Sequence, residues 1–227
     1  MWFLNIILYF SIYSFLGWIC EVIYCSIPSK KFINRGFLKG PVCPVYGFGA
    51  MFVIYIMKWI NINSAILVFI LGGFIASIIE FIADILLEYV FHTRLWNYSD
   101  RKFNIKGRVC LLNSTLFAVL STILIKIVHP LVLDIVVSLS SITIIIVSSL
   151  CIIVFLIDGV FTVREVIKLN ITLKNMNILK EIKKEFKLKC HIRLIEAFPQ
   201  LEHKKYMKEL KKLKEIIKES MKNYKKV

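Results

Sequence analysis

Residues 64–91 read SAILVFILGGFIASIIEFIADILLEYVF, an apolar run that is long enough to cross a lipid bilayer but contains three carboxylates. About 20 apolar residues span the hydrocarbon core, so this run predicts a transmembrane helix that tilts or extends into the interface. Glu80, Asp84 and Glu88 recur at every fourth residue, which places them along one face of that helix. Charged side chains within a span face protein or water, because lipid solvates them poorly. The stretch therefore predicts a helix bundle with a polar interior.

The composition of the 227-residue chain agrees with a membrane location. The hydrophobic fraction is 58% and the mean hydropathy is +0.72, whereas soluble domains are about 45–50% apolar. We predict an all-α fold, a polytopic membrane helix bundle of about five transmembrane helices with a basic helical tail. The predicted spans cover residues 2–27, 44–60, 64–91, 111–128 and 131–158. His129-Pro130 is expected to form the turn between the fourth and fifth spans.

Charge divides the chain into two regions. Residues 1–163 carry 11 Lys and Arg against 7 Asp and Glu, whereas residues 164–227 carry 19 against 8. We therefore predict a transmembrane bundle over residues 1–163 and a cytoplasmic amphipathic tail over residues 164–227. The other cations cluster in the loops that follow the first and third spans. Because cytoplasmic loops are enriched in Lys and Arg, this pattern predicts an N-terminus outside the cell and a C-terminus inside it.

The tail shows helical periodicity in two stretches separated by Pro199. The apolar stripes consist of Ile178, Ile182 and Phe186, and then of Met207, Leu210, Leu213, Ile217 and Tyr224. Cations fill the remaining faces, so two amphipathic helices are predicted. They either lie on the anionic inner leaflet or contact a partner helix, from a second copy of the chain or from a cytosolic protein. The charge alone would also suit nucleic acid, but no recognition motif accompanies it, and no nucleic-acid partner is predicted.

The candidate site lies at the predicted cytoplasmic ends of the spans. Glu21 lies near that end of the first span, and the acidic ridge of the third span occupies the same half of the bilayer. The cations Arg35 and Lys39, after the first span, and Arg94 and Arg108, after the third, are expected on the same side. The predicted polar cluster consists of Glu21, Glu80, Asp84, Glu88, Arg35, Lys39 and Arg108. Gly73 and Ser77 continue the ridge with small side chains, which permit close approach of a second helix.

Three interpretations of this cluster remain open. It forms ion pairs that lock the loops to the bundle, or it lines a cytoplasm-facing cavity for a cation, a head group or a small solute, or it is a hydrolytic or transferase site. Glu88 and His92, four residues apart, could hold a metal or shuttle protons, but a single His without an HExxH-type pattern is a weak signal. Asp158 is expected to cap the bundle near Arg164. We predict no catalytic residue, no metal and no cofactor, and we favour a protein that is not an enzyme.

The loop after the first span, NRGFLKGPVCPVYG at residues 34–47, holds three of the nine glycines and two of the five prolines. Gly36 and Gly40 predict close backbone approaches that a side chain would block. Pro44 is expected in the first turn of the second span, where its missing N–H is tolerated, and Gly47 would let a neighbouring helix approach. Arg35 and Lys39 are expected to pair with the acidic ridge.

Several motifs in a fixed order resemble a known family. They are Gly17-Trp18 with Glu21, NRGFLKGPVCPVYG at 34–47, WNYS at 96–99, FNIKGRVCL at 103–111 and RLIEAFP at 193–199. Together they resemble the ABC-transporter type IV family of CmpB-like bacterial multi-pass membrane proteins. The motif residues of the two loops are Asn34, Gly36, Gly40, Pro41, Pro44, Tyr46, Gly47, Trp96, Asn104 and Gly107.

The chain departs from the family pattern at two places. Asn97 stands where the family has Asp, which favours a hydrogen-bonding role for that position. Residues 114–118, Ser-Thr-Leu-Phe-Ala, replace an expected Trp-Gly pair. Neither departure changes the expected membrane topology.

The resemblance implies a multi-pass protein of the bacterial cell membrane and a permease-like component of an ABC-type transport system. The chain has no GxxxxGK[ST] loop, so ATP hydrolysis by that mechanism requires a separate ATPase subunit. A homo-oligomer is the other expected assembly, because five spans are few for a complete transporter. Two alternatives remain, namely a membrane sensor or scaffold that acts through the basic tail, and a lipid-modifying membrane enzyme.

Overall fold

A computed structural model describes residues 1–179 and 189–224 of the chain, with side chains at 1–176 and 192–218. Its helices are α1 Trp2–Ser29, α2 Pro44–Ile60, α3 Ala65–Phe91, α4 Leu111–Ile123, α5 His129–Ser138, α6 Ser141–Leu179, α7 Lys189–Ala197 and α8 Met207–Tyr224. Two-residue strands are β1 Thr93–Arg94, β2 Asn104–Ile105, β3 Val109–Cys110 and β4 Glu202–His203. The predicted all-α class is confirmed.

Within the described residues, four helical segments are long and apolar enough to cross a membrane by length and composition. They are Trp2–Ser29, Ala65–Phe91, Leu111–Ser138 and Ser141–Met176, and the shorter apolar helix Pro44–Ile60 accompanies them. Many large apolar side chains on these helices are exposed, such as Trp59 at 77% and Phe74 at 64%. Lipid is the solvent that such an apolar exterior requires, so the fold is that of a helical membrane bundle.

The turn predicted at His129-Pro130 is wrong. A π-helical turn, Leu124–Val128, joins α4 to α5, and Pro130 lies in the first turn of α5. Proline lacks an N–H, which a helix tolerates at this position, so the chain stays helical to Ser138. The break falls at Leu139-Ser140, where Ser140 Oγ accepts the N–H of Thr143 at 3.2 Å. The fourth span is therefore longer than predicted, and the last long helix begins at Ser141 rather than at residue 131.

The boundary predicted near Arg164 does not interrupt the chain, since α6 continues to Leu179. Beyond Arg164 its buried face is formed by Val166, Leu169, Leu173 and Met176. This face packs with α7, α8 and the loop before β2 in one apolar core. The last helix of the bundle is therefore also the central helix of the tail region.

Both basic loops and the tail meet at one end of the bundle. β1, in the loop after α3, pairs antiparallel with β4 of the tail through Thr93–His203 and Arg94–Glu202. β2 and β3 form a small hairpin within the same loop. We call the assembly of residues 30–43, 92–110 and 189–218 the cap. The sequence-based expectation that these three segments share a side agrees with these contacts.

The helices of the bundle approach closely where small residues face each other. A Cβ on Gly73 would lie 2.7 Å from the Cβ of Ala118, and Ser77 Oγ donates to Ser114 Oγ at 2.8 Å. The predicted close approach at Gly73 and Ser77 is confirmed, and α4 is the partner helix. The small residues Ser114 and Ala118 of α4 supply the matching surface.

Gly47 and Gly49 form a matched pair for testing helix packing. A Cβ at Gly47 would overlap Ser14 Oγ and lie within 2.7 Å of Phe10, whereas a Cβ at Gly49 meets nothing within 4 Å. Gly47→Ala is therefore expected to lower the free energy of unfolding by about 1–3 kcal/mol. Gly49→Ala is expected to raise it slightly, because Ala is the better helix former. Thermal unfolding in detergent measures both variants, and equal effects would contradict the packing of α1 against α2.

Candidate functional site

The acidic ridge, defined as Glu80, Asp84 and Glu88 of α3, ends beneath the cap. Asp84 is fully buried and Glu80 is 7% exposed. Their helix packs against α2 and α4, so this part of the ridge faces the bundle interior and not lipid. The predicted inward orientation of these two carboxylates is confirmed.

The half of the ridge nearer the cap is neutralised by two arginines. Asp84 Oδ2 accepts Arg94 Nε at 3.1 Å and also Arg108 Nη1. Arg108 Nη2 reaches Glu88, which has Lys204 Nζ of the tail at 3.5 Å on its other oxygen. Burial lowers the pKa of Arg108, but its bonds with Glu88 and Asp84 outweigh this and raise the pKa overall. This half of the cluster is an ion-pair network that ties the loop after α3 to the bundle.

Tyrosine hydroxyls donate hydrogen bonds to the remaining ridge carboxylate, Glu80, and to Glu21 of α1. Tyr98 of the cap donates to Glu80 Oε1 at 3.2 Å, and Tyr46 of α2 donates to Glu21 Oε1 at 2.8 Å. Burial and the neighbouring carboxylates of Glu80 and Glu21 raise the pKa of the Tyr98 hydroxyl, so it stays protonated and donates. Arg35 Nε lies 3.7 Å from Glu21. Four elements, α1, α2, α3 and the loop after α3, therefore contribute to one polar centre.

The predicted pairing of Arg35 and Lys39 with the acidic ridge is wrong for both cations. Arg35 pairs with Glu21 rather than with the acidic ridge, and its Nη1 also donates to the carbonyl of Ala197 at 2.5 Å. Lys39 pairs with Glu165 of α6 at 3.4 Å, so its predicted pairing with the ridge is wrong. The reason is geometric, because the loop crosses over α6 before it enters α2.

Asp158 holds this loop through its backbone. Its two carboxylate oxygens accept the N–H groups of Lys39 at 2.9 Å and Gly40 at 2.7 Å. A Cβ at Gly40 would lie 2.9 Å from the same carboxylate, so the close approach predicted at Gly40 is confirmed. The expectation that Asp158 caps the bundle near Arg164 is replaced by this contact with the loop.

Arg193 of α7 is a central residue that was not among the site residues predicted from the sequence. Its guanidinium donates to the carbonyls of Gly36, Phe37 and Leu38 at 3.2–3.3 Å. It also lies 3.3 Å from Glu165, which Lys39 contacts from the loop. The RLIEAFP motif at 193–199 begins with Arg193, so the motif is the sequence signal that could have indicated this residue.

The remaining motif residues shape the two loops. Asn34 Oδ1 accepts Trp18 Nε1 at 2.8 Å and Gly36 N at 3.2 Å, while Asn104 bonds three backbone groups of the loop after α3. Trp96 Nε1 donates to the carbonyl of Arg108 at 3.1 Å. Gly107 has φ +66°, the left-handed conformation that favours glycine. Pro44 begins α2 as predicted, and Pro41 is exposed.

Asn97 has the hydrogen-bonding role that its amide favours. Its Oδ1 accepts the N–H of Ser99 at 2.8 Å and the Ser99 hydroxyl at 2.6 Å, and its Nδ2 donates to Glu202 Oε1 at 2.7 Å. The Asn amide can donate to this carboxylate, whereas an ionised Asp has no donor. The amide of Asn97 therefore connects this loop to β4.

The apolar stripe of the tail is covered within the chain, and neither bilayer nor partner helix is needed to bury it. Leu210, Leu213 and Ile217 are at most 3% exposed. They share a core with Leu169 and Leu173 of α6, and both expectations for this stripe are therefore corrected. Ile182, Phe186 and the side chains of Ile178 and Tyr224 lie outside the described residues.

The neutral imidazole of His203 stabilises the turn that follows β4. Its Nδ1 accepts the N–H groups of Lys205 and Tyr206, both at 3.1 Å. A ring nitrogen that accepts a hydrogen bond carries no proton, so protonation breaks both bonds. Burial, and then the nearby His92, lower the pKa of His203 in the folded protein.

The docking of the tail is therefore expected to weaken in acid. The pKa of histidine in the unfolded chain is about 6.5, and the pKa of His203 in the folded protein is lower. The stabilisation by neutral His203 is therefore complete above the pKa of the unfolded chain. It is lost as the pH falls from there towards the folded pKa. Limited proteolysis of the tail between about pH 7 and pH 5 measures this effect. In His203→Asn the amide oxygen can accept the same N–H groups without titrating, and an unchanged pH dependence in that variant would contradict the assignment.

These features define a polytopic helical membrane protein whose polar interior is closed at one end by a folded cap. The chain belongs to the family described as "Putative ABC-transporter type IV", whose model matches residues 8–163. The matched region covers the bundle and both basic loops, and it ends before the cap helices of the tail. No curated protein and no solved structure matches the chain.

Proposed function

We propose that this chain is a permease-like membrane subunit of an ABC-type transport system of the bacterial cell membrane and that a separate subunit hydrolyses ATP. Its family membership supports this function. The sequence contains no phosphate-binding loop of the GxxxxGK[ST] type, which is the physical reason for assigning hydrolysis to another subunit.

The observation that carries the proposal is the continuous contact from the cap to the carboxylates inside the bundle. Arg108 and Tyr98 of the cap reach Asp84 and Glu80 of α3, and Lys204 of the tail reaches Glu88. A displacement of the cap therefore changes the charges around α3 directly. A subunit that is driven by a cytosolic ATPase needs this kind of connection between its cytosolic surface and its membrane path.

The orientation that suits this function has the cap in the cytoplasm and the N-terminus outside. Support comes from the positive-inside bias, since the cap contains both basic loops and the basic tail. Within the bundle, the polar centre of Glu21, Tyr46, Glu80 and Tyr98 is the proposed binding surface for a cation, a head group or a small solute. The network of Asp84, Glu88, Arg94 and Arg108 would hold the cap in place.

The test combines purification with flux. The tagged full-length chain, extracted from its native membrane in mild detergent, is expected to carry ATP hydrolysis with it, and the reconstituted complex is expected to move solute in proteoliposomes. Arg193→Met is expected to abolish the associated hydrolysis while the bundle stays folded, since this variant loosens the cap. A strict monomer without associated hydrolysis and without flux would contradict the proposal.

A scaffold function that acts through the tail is the second candidate. The observation in its favour is the exposed cationic face of α8, formed by Lys208, Lys211, Lys212 and Lys218. Deleting the tail would expose the core that it shares with α6, so charge-neutral substitutions on this face are the better test. If Lys211→Gln with Lys212→Gln removes the cellular phenotype but leaves flux intact, the scaffold function is favoured. Retention of the phenotype excludes it.

A further inference from the structure

Glu80 is the carboxylate of the acidic ridge that the cap does not neutralise. Its side chain is 7% exposed, and only Oε1 has a hydrogen bond, from Tyr98. Oε2 is buried and has no hydrogen-bond partner among the described residues. No Lys or Arg of the described residues lies within ion-pair distance of it, whereas Glu21 has one such partner and Asp84 and Glu88 have two each.

The charges near Glu80 are negative or already committed. The ionisable groups that face it are Tyr98 of the cap, Glu21 of α1, Tyr46 of α2, and Asp84 one turn further along α3. The Tyr46 hydroxyl is committed to Glu21. Arg94 and Arg108 approach from the cap, but both end on Asp84.

Among the described residues, the other helices packed on α3 supply no counter-charge. α4, at residues 111–123, has no ionisable side chain. The cations of α6 are exposed and none pairs with Glu80 (Arg164, Lys168 and Lys174), while its acidic residues Asp158 and Glu165 are engaged with the first loop and with Arg193. Burial of an ionised carboxylate without a counter-charge is unfavourable, and neighbouring carboxylates add to this.

We propose that Glu80 binds a proton and is a proton-exchange site within the bundle. A proton from water forms an O–H bond at the free Oε2, and the same proton is released when Glu80 ionises, so the step needs no other reactant. Three His, Cys, Asp or Glu side chains grouped as metal ligands do not occur in the described part of the chain. A proton is therefore the cation that the single free oxygen suits best.

Tyr98 connects this site to the cap. Its hydroxyl donates to Glu80 Oε1, and such a bond favours the ionised carboxylate. Withdrawal of the loop after α3 would remove the donor and increase the proton affinity of Glu80. This inference deepens the proposed function, and any coupling of proton binding to solute movement rests on that function. Proton binding itself is measured without flux.

The experiment uses a hydrophobic carbodiimide, which reacts with protonated carboxyl groups that are shielded from water. The full-length protein in lipid nanodiscs is treated at about pH 6 and about pH 9, and peptide mass spectrometry locates the label. We expect label on Glu80 at the lower pH and a decrease of about tenfold or more at the higher pH. Glu88, eight residues away on the same helix but paired with Arg108, is the internal control and is expected to stay at background.

Two variants make the result specific. Glu80→Gln is neutral and nearly isosteric, and it is expected to remove the label while the protein stays folded. Tyr98→Phe is expected to preserve labelling to higher pH, because it removes the donor that favours the ionised form. This second variant tests the proposal even if Glu80→Gln fails to fold.

Three outcomes would overturn the inference. They are an unlabelled Glu80 at about pH 6 in the folded protein, labelling that does not change with pH, and protection by Na⁺ relative to choline at constant pH. The last outcome would assign the site to a metal cation. If Glu80 is labelled as expected but the protein shows no solute flux, the proton site is supported and only the proposed transport function is refuted.

Discussion

Replacement of Arg108 by Met is expected to lower the free energy of unfolding by about 3–5 kcal/mol, the range for breaking one side of a buried ion pair. Arg108 bridges Asp84 and Glu88, and its side chain is 16% exposed. Without it, the fully buried Asp84 keeps only Arg94 as a counter-charge. Most of the loss comes from the carboxylate that remains buried, and not from the intrinsic strength of the pair.

The matched control is Lys204→Met, which removes the other cation from Glu88. The Lys204 side chain is 66% exposed, and such a pair contributes about 0–1 kcal/mol. Denaturant-induced unfolding in detergent compares the two variants. Addition of Asp84→Asn to Arg108→Met is expected to recover part of the loss, because neighbouring substitutions in one network are not additive. Equal destabilisation by Arg108→Met and Lys204→Met would contradict the buried network.

Replacement of Arg193 by Met is expected to release α7 from the first loop. Three carbonyls lose a charged donor, and Glu165, which is 6% exposed, loses one of its two cations. Hydrogen bonds to charged groups contribute about 1.5–3 kcal/mol each, so a loss of about 3 kcal/mol or more in the docking of the tail is expected. Arg193→Lys is expected to be intermediate, because an ammonium cannot reproduce the planar fork of donors.

Limited proteolysis between α6 and α7 measures this release, since an undocked tail is cleaved faster. Lys31→Met is the control, because Lys31 joins the same two segments through Glu196 with a side chain that is 50% exposed. Its expected effect is about 0–1 kcal/mol. Cleavage of Arg193→Met at the rate of the unmodified protein would show that Arg193 does not hold the cap.

The candidate site was partly predictable from sequence. The four-residue spacing of Glu80, Asp84 and Glu88 was sufficient to place them on one face, because helix geometry alone fixes that face. The close approaches at Gly40 and Gly47 followed from the absence of a side chain in otherwise apolar or proline-rich surroundings. The cations that meet each carboxylate were less predictable. Long Lys and Arg side chains within one basic end have several carboxylates in reach, and only the path of each loop selects among them.

The helix break and the tail show why other expectations failed. Pro130 would be a reasonable helix terminator in water, but a π-helical turn ahead of it keeps the chain helical. In lipid a continuous helix is favoured, because it satisfies the backbone hydrogen bonds that water cannot provide there. The stripe of Leu210, Leu213 and Ile217 predicted an amphipathic helix correctly. Its partner was not predictable, because an apolar stripe packs equally well on lipid, on another chain or on α6.

The sequence by itself determined the membrane class of this protein, the helical bundle, the common side of its basic segments and the inward carboxylates. These properties depend on hydrophobicity, periodicity and charge, which are local quantities that the chain carries wherever it folds. The tertiary structure alone decided that the tail folds back onto α6, that Arg193 and Asp158 hold the first loop, and that Glu80 has no counter-charge among the described residues. These properties depend on contacts between residues far apart in sequence, whose geometry exists only after the helices have packed.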